Sequence, residues 1–481
     1  MNAPASDARF DGYVADTAYP DYFHREIMPL WLTSALQALG RRAPEMSQGF
    51  TWLELGCGTG ISAVVAAATH PNGRFIGLDA NPCAIAQAQK LAQAIGLSNV
   101  EFVCASFEQA LASYSVHGAL LACDFIVSHG VYSWVSPRNR LVMQQLVQQQ
   151  LKPGGVCYLA YMSQPGSAAL SAPQKLAQLY AQQVNADSST QAQQALALLQ
   201  RTAQAGAGFF VEEVRMASKI EQLAGMDARY IAHEFLNAHW DCLHVADVMQ
   251  DMQAIDCDFV GSATLLENVD GASLPQSTLP LLQELVQQGK DVSVVETFKD
   301  IARNQNQRRD IYQRSHPEGN TLSADAHRHQ LLSQRVCLLP QAPDLQTPLS
   351  THLTLDTRIG PVQISMAHIQ PLLQVLQSGP CRYADLLSQP LYARQPGLVS
   401  QLLQLLCWAG WLQFMHPQTS SRHTYKQVAL LNRALVDRPC GQPPLQYMAA
   451  ADAGTAIVCA TQLSKRQQQR LSWLGVVNAT E

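Results

Sequence analysis

The chain has 481 residues, a formal net charge of −5 and 14% charged residues. Such a length holds roughly two to four domains with full cores, and so mild an acidity gives no general electrostatic footprint for nucleic acid. No apolar run reaches the ~18 residues a membrane span needs, Met1–Asp7 has neither a basic nor an apolar leader region, and the twelve cysteines lack paired metal-ligand spacing. A cytoplasmic chain with reduced thiols, no metal and no membrane span is expected.

In chain order, Asp11–Arg25 comes first and carries Tyr13, Tyr19, Tyr22, Phe23 and His24. Tyr19-Pro20 cannot be interior helix. The stretch reads as an ordered arm lying across a ligand pocket, or as a packing arm that covers a sheet edge, with a helix over Pro29–Leu39 after it. Residues 1–50 form this first unit. Trp52-Leu53-Glu54-Leu55-Gly56-Cys57-Gly58-Thr59-Gly60 then reads as a strand, a glycine loop and a helix start. Gly56, Gly58 and Gly60 let the backbone turn sharply and approach a ligand. Asp79 closes a second strand, Arg74–Leu78, nineteen residues past Gly60. That order binds a nucleoside-containing ligand at the C-terminal edge of a parallel sheet. The loop is GxGxG, not the GxGxxG of dinucleotide sites. It resembles motif I of the class I S-adenosylmethionine (SAM) methyltransferases; another doubly wound domain with a different nucleotide is the alternative.

The resemblance implies SAM as cofactor. Glu54 would organise the loop and favour the ammonium end, amides after Gly60 would meet the carboxylate, Asp79 would accept the ribose hydroxyls, and Cys57 and Ala80 would line the pocket. A helix over Pro82–Ile95 starts at a proline whose missing amide costs nothing, and Asn99–Cys104 is a third strand. The family often places an acid just after it, against adenine. This chain has Ala105-Ser106-Phe107 instead, so Ser106 would meet the base edge and Phe107 cover the ring. Ala122–Val127 is a fourth strand and Val156–Tyr161 a fifth, after the Leu151-Lys152-Pro153-Gly154-Gly155 turn. Residues 51–165 are thus a doubly wound, Rossmann-like α/β methyltransferase core.

Pro173–Gln204 has strong helix propensity and helical apolar spacing, so 166–262 reads as a helical insertion followed by a late strand, Asp256–Ser262, that closes the sheet. His233, Glu234 and His239 do not read as a metal site, because the two histidines fall off a common helix face and the HExxH spacing is absent. Four stretches sharpen the resemblance: Ala18-Tyr19-Pro20, His129–Val135, Tyr230–Asn237 and Arg308–Tyr312. Through them the chain is similar to bacterial class I methyltransferases with a methyltransferase regulatory domain, a group akin to the rickettsial protein-lysine methyltransferases. The implied reaction is in-line methyl transfer to a protein lysine amine, governed by orientation in a slot dry enough to keep the amine neutral. Tyr19, Tyr132, Trp134 and Tyr230 would supply the walls, Tyr132 and Tyr19 foremost. His129 and Glu234 would accept or orient a proton, His129 also bordering the cofactor. Each could instead be structural, His129 as a satisfied core histidine. A small-molecule N- or O-methyltransferase and a SAM-responsive scaffold are the alternatives.

Residues 263–345 read as a middle, regulatory region ending in a linker or exposed loops over Pro317–Ser333 and Pro340–Asp344. In 346–481, helices over Met366–Leu376, Tyr383–Leu387 and Pro396–Ala409 and a strand over Trp411–Met415 give a winged-helix-like, mainly helical region. Its third helix has no Arg or Lys, so packing or partner binding is favoured over DNA. Further helices are read over Gln427–Val436 and Thr461–Leu471, and a homodimer is one arrangement open to this region.

Overall fold

A parallel strand covered on both faces reads as an almost unbroken apolar run. The stretches around Trp52, Phe75 and Phe125 are of that kind, and all three rings are fully buried. The computed structural model describes residues 9–17, 19–117, 122–345, 350–436, 447–458 and 463–476; Met1–Asp7, Ala18 and Thr461 lie outside the described residues. Seven strands build one sheet: β1 (Phe50–Leu55), β2 (Gly73–Asp79), β3 (Val100–Cys104), β4 (Cys123–Ser128), β5 (Leu151–Met162), β6 (Cys257–Ser262) and β7 (Gln307–Arg314). Their order is β3-β2-β1-β4-β5-β7-β6. The first five run parallel, and β7 lies antiparallel between β5 and β6. The strand order reverses between β1 and β4, which opens a crevice at their C-terminal ends. This is the doubly wound, Rossmann-like α/β arrangement.

β7 was not expected as a strand. Its sequence, Gln-Arg-Arg-Asp-Ile-Tyr-Gln-Arg, lacks apolar alternation because its buried positions include charges that pair among themselves. Arg308 meets Asp310 through Nε (2.8 Å), Asp300 through Nη1 (2.6 Å) and Glu296 through Nη2 (2.9 Å). The Tyr161 hydroxyl donates to Asp310 (2.6 Å). The expected boundary at 262 therefore falls between two adjacent strands of one sheet.

The flanking helices are α1 (Pro29–Ala38), α2 (Ile61–Thr69), α3 (Pro82–Ile95), α4 (Phe107–His117) and α5 (Pro137–Gln150). Asn81 caps α3 by accepting from the Cys83 and Ala84 amides, and left-handed Gly96 ends it. All nine residues of α2 are buried. One side lies on the sheet, and the other meets the helix Arg422–Val436 and the hairpin Tyr447–Ala450/Thr455–Val458. A helix that is apolar all round is the sequence mark of that double burial.

The insertion holds α6 (Ser171–Ala181), α7 (Ser188–Gln204), α8 (Gly208–Glu212), α9 (Val214–Ala224) and α10 (Ala228–Phe235), around a cluster that includes Leu196, Ile220, Ile231 and Val14 of the arm. The helix read over Pro173–Gln204 is broken between Gln182 and Asp187, where Asp187 caps α7 through the Thr190 amide.

The linker or exposed-loop reading is corrected over the second part of Pro317–Ser333, while Pro340–Asp344 is a loop, though a packed one. Ala324–Ser333 is a helix capped by Ser323, and His327 Nε2 bonds the Gln37 carbonyl of α1 (2.8 Å). Ala342 is buried, with Arg470 donating to its carbonyl (2.6 Å). Arg335–Leu338 is the central strand of a second sheet, between Cys381–Arg382 and Leu412–Met415. The helices Met366–Leu376, Tyr383–Leu386 and Pro396–Trp408 lie with that sheet in the expected order. Helices also run over Arg422–Val436 and Lys465–Trp473. In the helix Pro396–Trp408, Val399, Leu402, Leu403, Leu406 and Cys407 are buried. The helix touches α1 and the turn Leu265–Asn268 beside the large sheet, so it packs inward. Among the described residues no helix is long and apolar enough to cross a membrane.

Candidate active site

A cleft of about 890 Å³ opens over the C-terminal ends of β1, β2 and β4. Its floor is set by the glycine loop. Gly56 and Gly60 have φ of +81° and +71°. A Cβ on Gly56 would stand 2.4 Å from Val131, and one on Gly60 would stand 2.5 Å from the Phe102 ring, so only glycine fits either place. Gly60 thus serves the cleft by seating the loop on the sheet. Gly58 faces the cleft, and its amide donates to Asp79 Oδ2 (2.8 Å), while Asn81 donates to Oδ1 (2.8 Å). Burial raises the Asp79 carboxyl against the pull of these amides.

Glu54 is the most telling member of this half. It is 5% exposed, and its Oε2 has no hydrogen-bond partner. Burial, with Asp79 adding to it, lifts its carboxyl well above the usual range. A buried carboxylate without a partner calls for a cation. α2 starts at Gly60 with no side-chain cap, so its first amides also want an acceptor. Cation acceptor, uncapped amides and a second carboxylate suit the ammonium, carboxylate and ribose of SAM. Cys57 and Ala80 line the same wall, as do Ser106 and Phe107. Ser106 also caps α4: its Oγ accepts from the Gln109 amide (3.2 Å), and its own amide donates to Gln109 Oε1 (2.9 Å).

The opposite half is roofed by the arm and α10. Tyr19, Tyr22 and Tyr230 all line the cleft, with ring centroids 6.0, 6.1 and 6.2 Å apart in pairs. Interplanar angles of 51–67° make them a cup, not a stack. Burial and then Glu234 push the Tyr19 and Tyr230 hydroxyls up, which keeps them protonated. Glu234 lines the cleft beside them, and burial lifts its carboxyl to about 7 against the pull of Lys219. Trp134 lines the wall next to Trp240, at 6.2 Å between centroids. His129 lies against His24 at 3.6 Å and bonds the Tyr158 hydroxyl through Nδ1 (2.8 Å). Burial, then His24, holds His129 well below the usual imidazole range, so the ring is neutral.

Tyr132 is a correction. It is 1% exposed, does not line the cleft, and its hydroxyl accepts from Gln144 of α5 (2.8 Å). Gly130 has φ +65° after β4, Val131 meets the glycine loop, and Tyr132 is buried in the cluster that holds Leu55, Met143 and Leu146. Tyr161 and Arg309 line the floor without having been singled out by position. Thr59 donates to Asp21, which fastens the arm onto the glycine loop. His233 bonds the Thr17 carbonyl (2.9 Å) and packs on Tyr13 and Tyr19.

Comparison with known proteins bears on this cleft. A methyltransferase domain family model matches residues 46–234, and one described as a predicted methyltransferase regulatory domain matches 227–314. The fold is similar to that of PKMT2 from Rickettsia typhi, solved with AdoHcy, with a TM-score of 0.67 and 17% identity over 94% of this chain and 91% of that one. The chain belongs to the SAM-dependent methyltransferases. An uncharacterised protein of Synechocystis is 27% identical to the methyltransferase over 451 residues, 93% of this chain and 85% of that one. A tRNA (guanine-N(7)-)-methyltransferase of Sodalis glossinidius is 29% identical over 160 residues, 32% of this chain. The regulatory match is no separate unit in the methyltransferase. It supplies Tyr230, Glu234 and Arg309 to the cleft and both antiparallel-edge strands, β6 and β7, to the sheet.

Proposed function

We propose that the methyltransferase acts on the side-chain amine of lysine in a protein. The observation that carries this reading is the cup of Tyr19, Tyr22 and Tyr230 with Glu234 beside it. When bound, SAM supplies an electrophilic methyl group. Glu54, Asp79, Gly58 and the start of α2 would hold it, Ser106 and Phe107 would meet its base, and His129 and Cys57 would border it. The tyrosine rings seat an amine by their faces, a gain of about 0.5–2 kcal/mol for a cationic form, and keep water out. Glu234 takes the amine proton, leaving a neutral nucleophile held in line. Trp134 closes the side wall. Tyr132 stands outside the cleft, buried and hydrogen-bonded to Gln144.

Charge at the opening agrees with a cationic acceptor segment. Outside the pair Glu54 and Asp79 on the cofactor side, Asp11, Asp16 and Glu234 line the cleft with Lys219 and Arg309. The fold shared with the Rickettsia typhi protein supports the reading through the family resemblance.

Because the Glu234 carboxyl sits at about 7, its acid form dominates below that pH and accepts no proton, and its carboxylate dominates above. Methyl transfer should therefore rise with pH through about 7. Glu234→Gln should remove that limb and lower the rate by roughly 10²–10⁴-fold. A pH–rate profile on lysate protein decides the point, and an unchanged profile in the variant ends the proton-acceptor role. The reading as a whole is tested by incubating the enzyme with methyl-labelled SAM and host lysate. Label that protease releases and nuclease leaves supports it. Label confined to small molecules would favour a metabolite methyltransferase, and SAM binding without any transfer would favour a scaffold.

A further inference from the structure

Among the described residues, nothing after Arg309 lines the cleft, yet the C-terminal region grips the arm that roofs it. Arg25 follows His24 directly. Its Nη1 and Nη2 donate to the carbonyls of Cys407 (3.2 Å) and Trp408 (3.1 Å), at the C-terminal end of the helix Pro396–Trp408. The Cys407 carbonyl also accepts from the Gly410 amide (3.2 Å), and both carbonyls lie in the last turn, at the negative end of the helix dipole. The guanidinium also lies 4.7 Å over the Trp31 ring and 5.3 Å from that of Trp408. A planar fork between two rings fixes direction as well as distance. Two residues earlier, Phe23 is buried and meets Tyr447 of the C-terminal hairpin, at 5.6 Å between centroids. The segment anchored this way is the one that presents Tyr19, Tyr22 and His24 to the cleft.

We propose that Arg25 is a positioning residue through which the C-terminal region sets the closure of the arm, and hence the acceptor half of the site, without touching a ligand. The importance given to the acceptor half rests on the lysine reading; the anchoring itself does not. Helix Pro396–Trp408, which in a DNA-binding module would read bases, here ends in a socket for the arm.

The test uses the full chain and three variants, Arg25→Gln, Arg25→Lys and Trp408→Leu. Hydrogen exchange over Asp21–Ile27 should quicken roughly tenfold in Arg25→Gln, as two charge-assisted hydrogen bonds are lost. It should quicken less in Arg25→Lys, which keeps the charge and loses the fork. Exchange in β1 should stay as in the parent. With labelled SAM and increasing lysate protein, half-saturation should move roughly fivefold upward in Arg25→Gln while the saturated rate holds, the mark of lost uniform binding. If Arg25→Gln does not fold, Trp408→Leu reports in its place, since it removes one ring and keeps both carbonyls. Parent-like exchange over Asp21–Ile27 in the folded variants overturns the proposal, as does an equal loss in the Lys and Gln variants. A loosened arm in an enzyme that labels no protein would sink the lysine reading and uphold the role of Arg25.

Discussion

Arg308→Met should lower the stability of the protein by about 3–5 kcal/mol, the usual result of removing one member of a buried ionic cluster. Arg308 is 3% exposed, and it faces Glu296, Asp300 and Asp310, all of them buried. Burial opposes ionisation at Glu296, yet Arg308, Lys299 and Arg303 hold its carboxyl down at about 2. At Asp300 burial prevails and lifts the carboxyl to about 7 against the same arginines. Methionine fills the space of the arginine stem and offers no countercharge. Glu296, depressed below its ordinary value, lends stability at neutral pH that is lost as pH falls from about 4.5 toward about 2; without Arg308 much of that contribution disappears. Chemical unfolding of parent and variant at neutral pH measures the difference, and a change under about 1 kcal/mol would mean that β7 is held by its ladder and not by the cluster. Loss should reach the cleft as well, because Asp310 also holds the Tyr161 hydroxyl, and Tyr161 lines the floor.

Asp79→Ala should weaken SAM binding by about 1.5–3 kcal/mol, or roughly 10- to 150-fold, the range for hydrogen bonds to a buried charge. The variant removes an acceptor for ribose and also frees the Gly58 and Asn81 amides that the carboxylate now holds. Asp79→Asn keeps one acceptor oxygen and should fall between. Calorimetric titration compares the three proteins. Unchanged affinity in Asp79→Ala would place the cofactor elsewhere.

The glycine-loop half of the cleft was legible in the sequence because its signals are local. Glu54, the three loop glycines and Asp79 sit at strand ends whose spacing follows from one βαβ unit. The acceptor half depends on distant segments: Tyr19 and Tyr22 come from the arm and Tyr230 from α10, and no periodicity tells which faces meet. Tyr132 and Trp134 are two residues apart after β4, and their spacing does not tell that Trp134 lines the cleft while Tyr132 is buried outside it. β7 escaped because Arg308 and Asp310 are core residues written in charged letters. Ala324–Ser333 escaped because His327 and Gln334 pack on α1 through polar contacts, which composition reads as loop. In the C-terminal region the order of helices was readable, but not that Pro396–Trp408 turns toward the large sheet.

The central claim, an amine acceptor in the tyrosine cup, is tested most directly by residue-level mass spectrometry of the proteins that gain label from methyl-SAM. Methyl groups should appear on lysine side-chain nitrogen with the parent enzyme and be sharply reduced with Tyr19→Ala or Glu234→Gln. Methyl groups on arginine, glutamine or carboxyl side chains, or on lysine with equal yield from both variants, would contradict it.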